Sequence, residues 1–407
     1  MKIRTAVINT LKEVFSSFGF EPLETPALEY GETLLGKYGA EADRLVYTFK
    51  DRGDRLVGLR YDLTVPLARV IGQYGNEITF PFKRFQIQPV WRAENTQRGR
   101  YREFYQCDID TVGTISTFAD AEIIAVTAAA FRKLGFKNFE IRLNDRQILF
   151  DIMQKSGVTD ELTLPAIQSL DKLDKKSEDE VRKELAEKGL TEVTVNNIFA
   201  AVEKAEPNET LREIFSYLES FGASAGNYKF SPTLSRGLDY YTGPIFEVVM
   251  TEPNLGSLAG GGRYDKLIKQ LGGPDLPATG ISLGLERIIE VIAELKLPLI
   301  NRNEKDKTKV LFAVAVAGTD SSASLKIAEI QALKLAGDLR ESGVNVETYP
   351  DPAAKLEKQL KYADRKGIPF VAIIGPKEVG DKTVTLKNLK SGEQKIIAQS
   401  DLSETAF

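Results

Sequence analysis

The sequence predicts an α+β unit that carries a helical insertion and is followed by a separate α/β unit. Helical and strand-like patterns are mixed up to about residue 150. From 159 to about 220 the chain is charge-dense and shows only helical patterns, and beyond residue 309 strands and helices alternate. A chain of 407 residues is also too long for one ordinary core, so two or three domains are expected.

An amphipathic helix opens the first unit, and Gly19 ends it. Its apolar residues recur at helical spacing at Ile3, Val7, Leu11 and Val14. An extended segment follows at 20–26, and its two prolines are typical of an edge or interface strand.

The same periodicities assign the later elements of this unit. Strands are expected over 56–60, 80–90, 138–143, 227–232 and 245–250, and helices around Leu67, over 118–134 and after Gly284. Three consecutive glycines at 260–262 predict a turn. The charges of the helical insertion are typical of a solvated face rather than of a binding patch.

Beyond residue 309 the alternation predicts a compact α/β domain with a mostly parallel sheet. The strand-like runs VLFAVAVAG, VNVETYP and FVAIIG are separated by helical patterns over 321–341 and 352–366. We therefore expect a first domain over 1–300 with its insertion at about 150–222, a linker over 301–308 and a second domain over 309–407.

The composition restricts the chemistry. The chain has no histidine, which excludes histidine-based relays and bases and most transition-metal sites. The single Cys107 excludes an internal disulfide and a cysteine-rich zinc site, and it fits a reducing cytoplasm. No apolar run reaches the roughly 20 residues that span a bilayer, so no membrane partner is expected. The net charge of −4 argues against a general nucleic-acid coat but permits a local basic track.

A basic loop lies between two strand-like ends at 91–110. Around Gly99 it carries four arginines, Arg92, Arg98, Arg100 and Arg102. Arginine binds phosphate oxygens in bidentate geometry and stays charged when partly buried. The hairpin therefore predicts a cradle for a polyphosphate, with a solvated hairpin tip as the alternative.

Asp62 and Thr64, in RYDLTVPLAR, lie two residues apart, so on an extended strand both would point to one face. An anion beside a hydroxyl suits a protonated α-amino group. In SRGLDYYTGPIFE, Arg236 is followed by a glycine, an acid and two tyrosines.

Two glycine-containing stretches add further arginines. GGGRYDKL allows a ligand to approach the backbone and places Arg263 and Tyr264 beside it. GISLGLERI runs into a helix that carries Glu286 and Arg287, where an arginine can reach a terminal phosphate. Each stretch alone could be turn chemistry. Together they supply arginines around one polyphosphate, and carboxylates and tyrosines for an amino acid.

On these stretches the chain resembles the histidyl-tRNA synthetases, a family of class II aminoacyl-tRNA synthetases, over essentially its whole length. The loop at 91–110 resembles motif 2, GISLGLERI resembles motif 3, and the first helix with FEPLETPALEY resembles motif 1, with Pro26 as its proline. SRGLDYYTGPIFE and AGGGRYDKL resemble the two signatures peculiar to histidyl enzymes, which are far more specific. The sequences LRYDLTVPLAR and REFYQCDID are closer to those of the eukaryotic-like branch of this family than to those of the common bacterial branch.

The resemblance implies a mostly antiparallel sheet in the catalytic domain, an anticodon-binding domain from about 309, and roles for individual residues. Arg236 is implied as the main electrophilic catalyst, with Arg92 as the second catalytic arginine. The implied ATP site consists of Arg92, Glu94, Arg100, Phe104 and Arg287, with Phe104 stacked on adenine and Arg287 on the γ-phosphate. Mg²⁺ is implied to be held mainly by the ATP phosphates, with no histidine or cysteine ligand.

For the amino acid, the resemblance implies that Asp62 and Thr64 bind the α-amino group of histidine. The rest of the implied histidine site consists of Gln106, Asp110, Tyr240, Tyr241 and Tyr264. Asp110 is implied to pair with an imidazole N–H, and a ligand without that donor would leave a buried carboxylate unpaired.

The implied function is that of a histidine–tRNA ligase, which forms histidyl-adenylate and pyrophosphate from L-histidine and ATP and transfers histidine to the 3′ end of tRNA(His). A cytoplasmic homodimer that associates through motif 1 is expected. The alternative is a non-catalytic, histidine-sensing regulatory subunit of ATP phosphoribosyltransferase in histidine biosynthesis. Such regulators usually lack the C-terminal domain and lose catalytic arginines, whereas this chain keeps Arg92, Arg236 and Arg287.

Overall fold

The computed structural model describes residues 2–36, 44–96, 99–174, 176–222, 227–235, 240–250, 256–297, 308–315 and 322–405. Across these residues, the helices are all too short or too polar to cross a bilayer. The strands are β1 (Glu21–Pro22), β2 (Leu28–Tyr30), β3 (Thr48–Lys50), β4 (Leu56–Leu59), β5 (Phe82–Trp91), β6 (Glu103–Val112), β7 (Glu140–Asp145), β8 (Tyr228–Phe230), β9 (Pro244–Val249), β10 (Ala259–Arg263), β11 (Ala278–Gly284), β12 (Val310–Val314), β13 (Val346–Thr348), β14 (Phe370–Ile374), β15 (Thr383–Asn388) and β16 (Gln394–Ala398).

The helices surround these strands in the same chain order. They are α1 (Lys2–Ser17), α2 (Gly31–Leu34), α3 (Thr64–Tyr74), α4 (Thr117–Lys133), α5 (Arg146–Lys155), α6 (Asp160–Leu170), α7 (Glu178–Glu187), α8 (Glu192–Glu203), α9 (Glu209–Ser220), α10 (Leu267–Gln270), α11 (Leu285–Glu294), α12 (Ser322–Glu341), α13 (Leu356–Lys366) and α14 (Pro376–Asp381). Short 3₁₀ helices occupy Asp171–Asp174 and Gln399–Glu404.

An eight-stranded sheet forms the first unit, in the order β1-β5-β6-β11-β10-β9-β7-β8. The pairs β1–β5 and β7–β8 are parallel, and the other pairs are antiparallel. The expectation of a mostly antiparallel sheet is therefore confirmed. The proline-bearing β1 lies at the edge, as its sequence predicts.

The two faces of this sheet differ in polarity because side chains alternate along each strand. In β6, Cys107 and Ile109 point into the main hydrophobic core, which the helices α1, α4 and α11 share. Gln106, Asp108 and Asp110 occupy the alternate positions and face the opposite side. The sheet thus presents one apolar face to the helices and one polar face to a cavity.

The three glycines at 260–262 form strand β10, so the predicted turn is wrong. A Cβ atom on Gly261 would lie 2.0 Å from the carbonyl oxygen of Gly280, and one on Gly262 would lie 2.6 Å from that of Pro244. The glycines are required because β10 packs closely against its neighbours, and that packing leaves no local signal of a strand.

The insertion is helical, as predicted, with helices α5 to α9 between Asp145 and Tyr228. A capping box opens α7, because the Ser177 side chain accepts from the backbone N–H of Glu180 and the Glu180 carboxylate accepts from that of Ser177. At α8 and α9 the cap is single: the side chains of Thr191 and Asn208 accept from the backbone N–H groups of Thr194 and Leu211.

The C-terminal unit contains a five-stranded sheet in the order β13-β12-β14-β15-β16. The three predicted strands pair in parallel, with β12 between β13 and β14. The remaining pairs, β14–β15 and β15–β16, are antiparallel, so the sheet is mixed rather than mostly parallel. Short connections produce this pattern, since only antiparallel neighbours can be joined without a long crossover.

A smaller sheet, in the order β2-β4-β3, accompanies the first unit. Only β4 was predicted, from the run at 56–60.

A buried group of charges joins the two units. We call Lys83, Glu122, Glu347 and Lys366 the interface charge cluster; the first three side chains are 0% exposed. Lys83 Nζ lies 3.0 Å from Glu122 Oε2 and 3.8 Å from Glu347 Oε1. Lys366 Nζ lies 3.1 Å from Glu347 Oε2 and donates to the carbonyl of Gly19. Two cations thus balance two anions across the contact between β5 and α4 of one unit and β13 and α13 of the other.

We predict that Glu122→Ala lowers the free energy of unfolding by about 3–5 kcal/mol, because Lys83 is then buried without its main partner. Replacing both partners, as Lys83→Met with Glu122→Leu, should recover most of that loss. Denaturant unfolding of the variants measures both effects. Glu357→Ala is the matched control, since it breaks an exposed pair with Lys361 and should leave the midpoint unchanged. A wild-type midpoint for Glu122→Ala would contradict a stabilising role of the cluster.

Candidate active site

A cavity of about 350 Å³ opens on the polar face of the eight-stranded sheet. Its walls come from β6, β10 and β11, the segment before α3, the loop that joins β5 to β6, and the start of α11. Polar and apolar groups share the lining, and the volume suits a small-molecule ligand.

The residues that the resemblance assigns to the ATP and histidine sites all line this cavity where they fall within the described chain. They are Asp62, Thr64, Arg92, Glu94, Arg100, Phe104, Gln106, Asp110, Tyr240, Tyr241, Tyr264 and Arg287. Arg236, the predicted main catalyst, and Arg98 lie outside the described residues. Stretches that are up to 225 residues apart in sequence, from Asp62 to Arg287, therefore meet at one place.

Arg92 is held between two aromatic rings at one end of the cavity. Its guanidinium carbon lies 4.3 Å from the ring centre of Tyr61 and 5.1 Å from that of Phe104. Its Nε donates to the carbonyl oxygen of Tyr61 at 3.2 Å. These contacts fix the plane of the guanidinium without neutralising it. Nearby, Arg100 Nε lies 2.7 Å from Glu94 Oε2.

Arg287 ties the start of α11 to the tip of the basic loop. Its Nε donates to the carbonyl of Gly99 at 3.0 Å, and its Nη1 donates to that of Ser257 at 2.5 Å. Gly99 has a φ of +71°, which favours glycine at this tip. Glu286, the preceding residue, accepts from the backbone N–H of Tyr105 at 2.9 Å and so anchors α11 to β6.

Asp62 and Thr64 share the cavity for a different reason from the one predicted. They do not lie on a strand, since α3 begins at Thr64. Asp62 Oδ1 accepts from the backbone N–H of Val65 at 3.1 Å, at the first turn of that helix. The turn into the helix, rather than strand alternation, brings the two side chains together.

Asp110 is anchored by two partners inside the protein. Its Oδ1 accepts a hydrogen bond from the hydroxyl of Tyr264. Its Oδ2 lies 2.7 Å from Nη2 of Arg84, which is fully buried and stands opposite Asp110 in the pairing of β5 with β6. Arg84 also donates to the carbonyl of Leu63 at 3.2 Å. Arg84 was not predicted as a site residue. The sequence signal that could have identified it was an arginine at an inward-facing position of a predicted strand.

Gly280 provides the space for Asp110. A Cβ atom on Gly280 would lie 2.0 Å from Asp110 Oδ1, because the two residues are paired across β11 and β6. The small-residue character of GISLGLERI therefore serves the carboxylate of the neighbouring strand.

Arg263 lies on the opposite face of the sheet, so its predicted place beside a ligand is wrong. It is buried and its Nη2 lies 2.6 Å from Asp120 Oδ2, while it also donates to the carbonyls of Thr114 and Ser116. Strand alternation along β10 explains the difference. Arg263 instead fixes the N-terminal end of α4 against the sheet.

Asp108 is a second carboxylate of the cavity that was not predicted. It is 2% exposed, and it hydrogen-bonds to Ser282, which also accepts from Gln106 Nε2 at 2.6 Å. Burial raises the pKa of Asp108 to about 7, against the opposing effect of Arg84 and with the support of Asp110. Burial likewise raises the pKa values of Tyr240 and Tyr264, so both hydroxyls remain hydrogen-bond donors.

The cavity is thus cationic at one end and carboxylate-rich at the other. Arginines at the mouth suit a polyphosphate, and the carboxylates at the floor suit groups with N–H donors. Within the described residues, no set of three or more acidic or cysteine side chains is arranged to hold a metal ion.

Comparison with known proteins agrees with this geometry. The family model described as histidyl-tRNA synthetase matches residues 1–288, and the anticodon-binding-domain model matches residues 313–406. A histidine–tRNA ligase of Christiangramia forsetii is 40% identical and aligns with 98% of this chain and 94% of its own length. The ligase of Cytophaga hutchinsonii is 38% identical over 96% of this chain and 93% of its own length.

Solved structures show the same similarity. The crystal structure of the histidyl-tRNA synthetase of a Nostoc species has a TM-score of 0.64 and 29% sequence identity, and the match covers 99% of this chain and 94% of that one. A Bacillus halodurans structure, titled ATP phosphoribosyltransferase regulatory subunit/histidyl-tRNA synthetase, has a TM-score of 0.63. At 21% identity, with 92% of this chain and 94% of that one covered, it shows the fold alone.

We predict that Gly280→Ala destabilises the protein by about 1–3 kcal/mol or more, because the added methyl group overlaps the Asp110 carboxylate and breaks its two anchors. Thermal unfolding measures this effect. Gly380→Ala is the control, since nothing lies within 4 Å of a Cβ there and the residue is in helix α14. The control should be neutral or slightly stabilising, and equal melting temperatures for the two variants would contradict the close fit at Gly280.

Proposed function

The chain belongs to the histidyl-tRNA synthetase family, and we propose that its cavity activates L-histidine with ATP before the amino acid is transferred to the 3′ end of tRNA(His). Family membership carries this proposal, because relatives that are 36% to 40% identical are histidine–tRNA ligases by name. The arrangement of arginines and carboxylates in a single cavity supports it.

The chemistry fits a chain without histidine. A substrate carboxylate is ionised at neutral pH, so its attack on the α-phosphorus requires no general base. A bond forms between a carboxylate oxygen and the α-phosphorus, and pyrophosphate leaves. The protein must align the two groups and neutralise the charge that develops on the phosphate oxygens, and arginines can do both.

We assign the cationic end of the cavity to ATP. Arg92, held between its two aromatic neighbours, is assigned to the α-phosphate and the ring of Phe104 to adenine, and Arg100 and Glu94 line the same end. Arg287 is assigned to the γ-phosphate, for which it exchanges its bonds to the carbonyls of Gly99 and Ser257.

Mg²⁺ is assigned to the ATP phosphates, where it supplies additional charge neutralisation. The carboxylates of the cavity are compatible with this assignment. Glu286 is already paired with Arg4 at 2.9 Å and accepts from the backbone N–H of Tyr105, so it is not needed as a ligand of the metal ion. The phosphate oxygens would therefore provide most of the ligands of a bound Mg²⁺.

We assign the carboxylate end to histidine. Asp62 and Thr64 lie where an α-amino group can bind, and Gln106, Asp110 and Tyr264 surround the side chain. Tyr240 and Tyr241 complete this end, with ring centres 5.0 Å apart. Selectivity arises because a ligand without ring N–H donors forgoes its hydrogen bonds to the buried acceptors at this end.

We further infer that the protein is a cytoplasmic homodimer. We also infer that its C-terminal domain, over 309–407, binds the anticodon of the tRNA. The exposed apolar side chains of the small sheet support dimerisation through the motif 1 region, since Leu28, Tyr30 and Phe49 are 46–50% exposed on its two outer strands, β2 and β3. A first domain over 1–300, with the insertion at about 150–222, and a linker over 301–308 complete the proposed organisation.

The regulatory alternative is less well supported. Arg92 and Arg287 are present in the cavity, and the sequence retains Arg236. Residues 313–406 also match the anticodon-binding domain model, a part that such regulators usually lack.

ATP–pyrophosphate exchange with each of the twenty amino acids tests the proposed function. We expect exchange with histidine alone, because the carboxylate end requires N–H donors in the ligand side chain. Histidine binding without exchange would instead support the regulatory alternative, and exchange with another amino acid would contradict the assigned specificity.

We also predict that Arg236→Ala lowers the exchange rate by at least about 100-fold while histidine binding is largely retained, as expected for loss of a group that stabilises developing charge. Exchange kinetics and calorimetric titration with histidine measure the two effects. Arg212→Ala, which removes an exposed arginine paired with Glu206 in the insertion, is the control. Wild-type exchange in Arg236→Ala would refute the role given to Arg236.

A further inference from the structure

Two carboxylates stand side by side at the floor of the cavity. Asp108 and Asp110 occupy alternate positions of β6 and so point to the same face, about 7 Å apart along the strand. Both are buried, with 2% and 3% of their surface exposed. Two adjacent buried carboxylates are costly unless cations or donors compensate them.

Among the described residues, both oxygens of Asp110 have a partner, whereas Asp108 has only the hydroxyl of Ser282. Asp110 has Tyr264 on one oxygen and Arg84 on the other. Asp108 Oδ1 is buried and has no hydrogen-bond partner among the described residues, although the side chain lines the cavity. A buried acceptor that faces a ligand cavity without a donor is a place for a ligand donor.

Within the part of the chain that the structure describes, the surrounding charges leave this acceptor uncompensated. The charged and titratable groups that face Asp108 are Arg84 from β5, Arg60 from the end of β4, Asp110 from its own strand, Asp62 from the segment before α3 and Tyr264 from the end of β10. β11 contributes only the hydroxyl of Ser282. Arg84 is bound to Asp110, and Arg60 donates to the carbonyls of Thr25 and Pro89.

We propose that Asp108 is a specificity-determining residue that accepts the second ring N–H of histidine, so that the cavity binds the side chain as an imidazolium between Asp108 and Asp110. This inference rests on the proposed function. An imidazolium has two N–H donors that diverge from one ring, so one can reach each carboxylate. Its positive charge also supplies a cationic partner for Asp108, since Arg84 is bound to Asp110.

The proton balance follows from this arrangement. In the complex, one proton is shared between Asp108 and the ring, whichever of them carried it before binding. Above neutral pH the free ring and Asp108 are both mostly deprotonated, since burial raises the pKa of Asp108 only to about 7 and an unperturbed imidazole titrates near about 6.5. Histidine binding at pH 8 must therefore take up close to one proton from solution.

Calorimetric titration of the wild-type protein with histidine, in buffers of different ionisation enthalpy at about pH 8, measures this proton directly. We expect an uptake near one proton and a KM for histidine that rises about tenfold between about pH 7 and 8.5. Because these measurements need no substitution, they do not depend on the folding of a variant. Binding without proton uptake would overturn the inference.

The Asp108→Asn variant provides a second test, since it keeps the shape of the side chain but removes its charge. The KM for histidine at neutral pH should rise about 10- to 100-fold, as for loss of a charged hydrogen bond. The KM for ATP should stay within about twofold, and the rise of the histidine KM with pH should disappear. Asp174→Asn, at an exposed ion pair with Arg142, is the matched control. A pH profile unchanged from wild type would overturn the role of Asp108.

A histidine analogue with a triazole ring separates charge from shape, because that ring stays neutral at neutral pH. Wild type should discriminate strongly against it, and Asp108→Asn should discriminate less. Equal discrimination by both proteins would contradict the inference. If wild type shows no exchange with histidine at all, the proposed function fails, whereas exchange without proton uptake removes only the inference.

Discussion

The buried ion pair between Arg84 and Asp110 is the interaction on which the carboxylate end of the cavity depends. It joins β5 to β6 at directly opposed positions, and Arg84 extends the link to the carbonyl of Leu63, next to Asp62. Removing either partner would leave a charge buried in the sheet. Gly280 and Tyr264 complete the arrangement, the first by leaving space for the carboxylate and the second by donating to it. The floor of the cavity is therefore built before any ligand binds.

Strand alternation connects this floor to the rest of the molecule. Lys83 precedes Arg84 on β5, so the two cations point to opposite faces of the sheet. Lys83 enters the interface charge cluster with the C-terminal unit, and Arg84 enters the cavity. A displacement of β5 at the contact between the units would thus occur next to the residue that holds Asp110. The loop that carries Arg92 continues from the same strand, so β5 serves the contact, the floor and the phosphate end together.

Sequence reasoning anticipated most of the residues that line the cavity, partly because their signals are local. The arginines of the basic loop and the helix after Gly284 can be recognised within short windows, whereas Gln106 and Asp110 were assigned only through the family resemblance. The features that sequence reasoning missed depend on contacts between strands that are far apart in the sequence. Arg84 gains its role only through the register of β5 with β6, and the glycines at 260–262 are explained only by the backbones of neighbouring strands. Asp62 and Thr64 were placed together correctly, but through a helix start that was read as a strand.

The absence of histidine makes the titration of this protein unusually simple to interpret. In most proteins histidines dominate any change of charge near neutral pH. Here the chain has none, and its only cysteine is buried, which raises the pKa of that thiol well above its usual value. Apart from the α-amino group, any group of the protein that titrates near neutral pH must be a side chain with a shifted pKa. Burial raises the pKa of Asp108 into this range. A pH dependence of histidine affinity near neutrality therefore points to the ligand ring and to the buried carboxylates Asp108 and Asp110, whose pKa values burial raises, since no histidine of the protein can produce it.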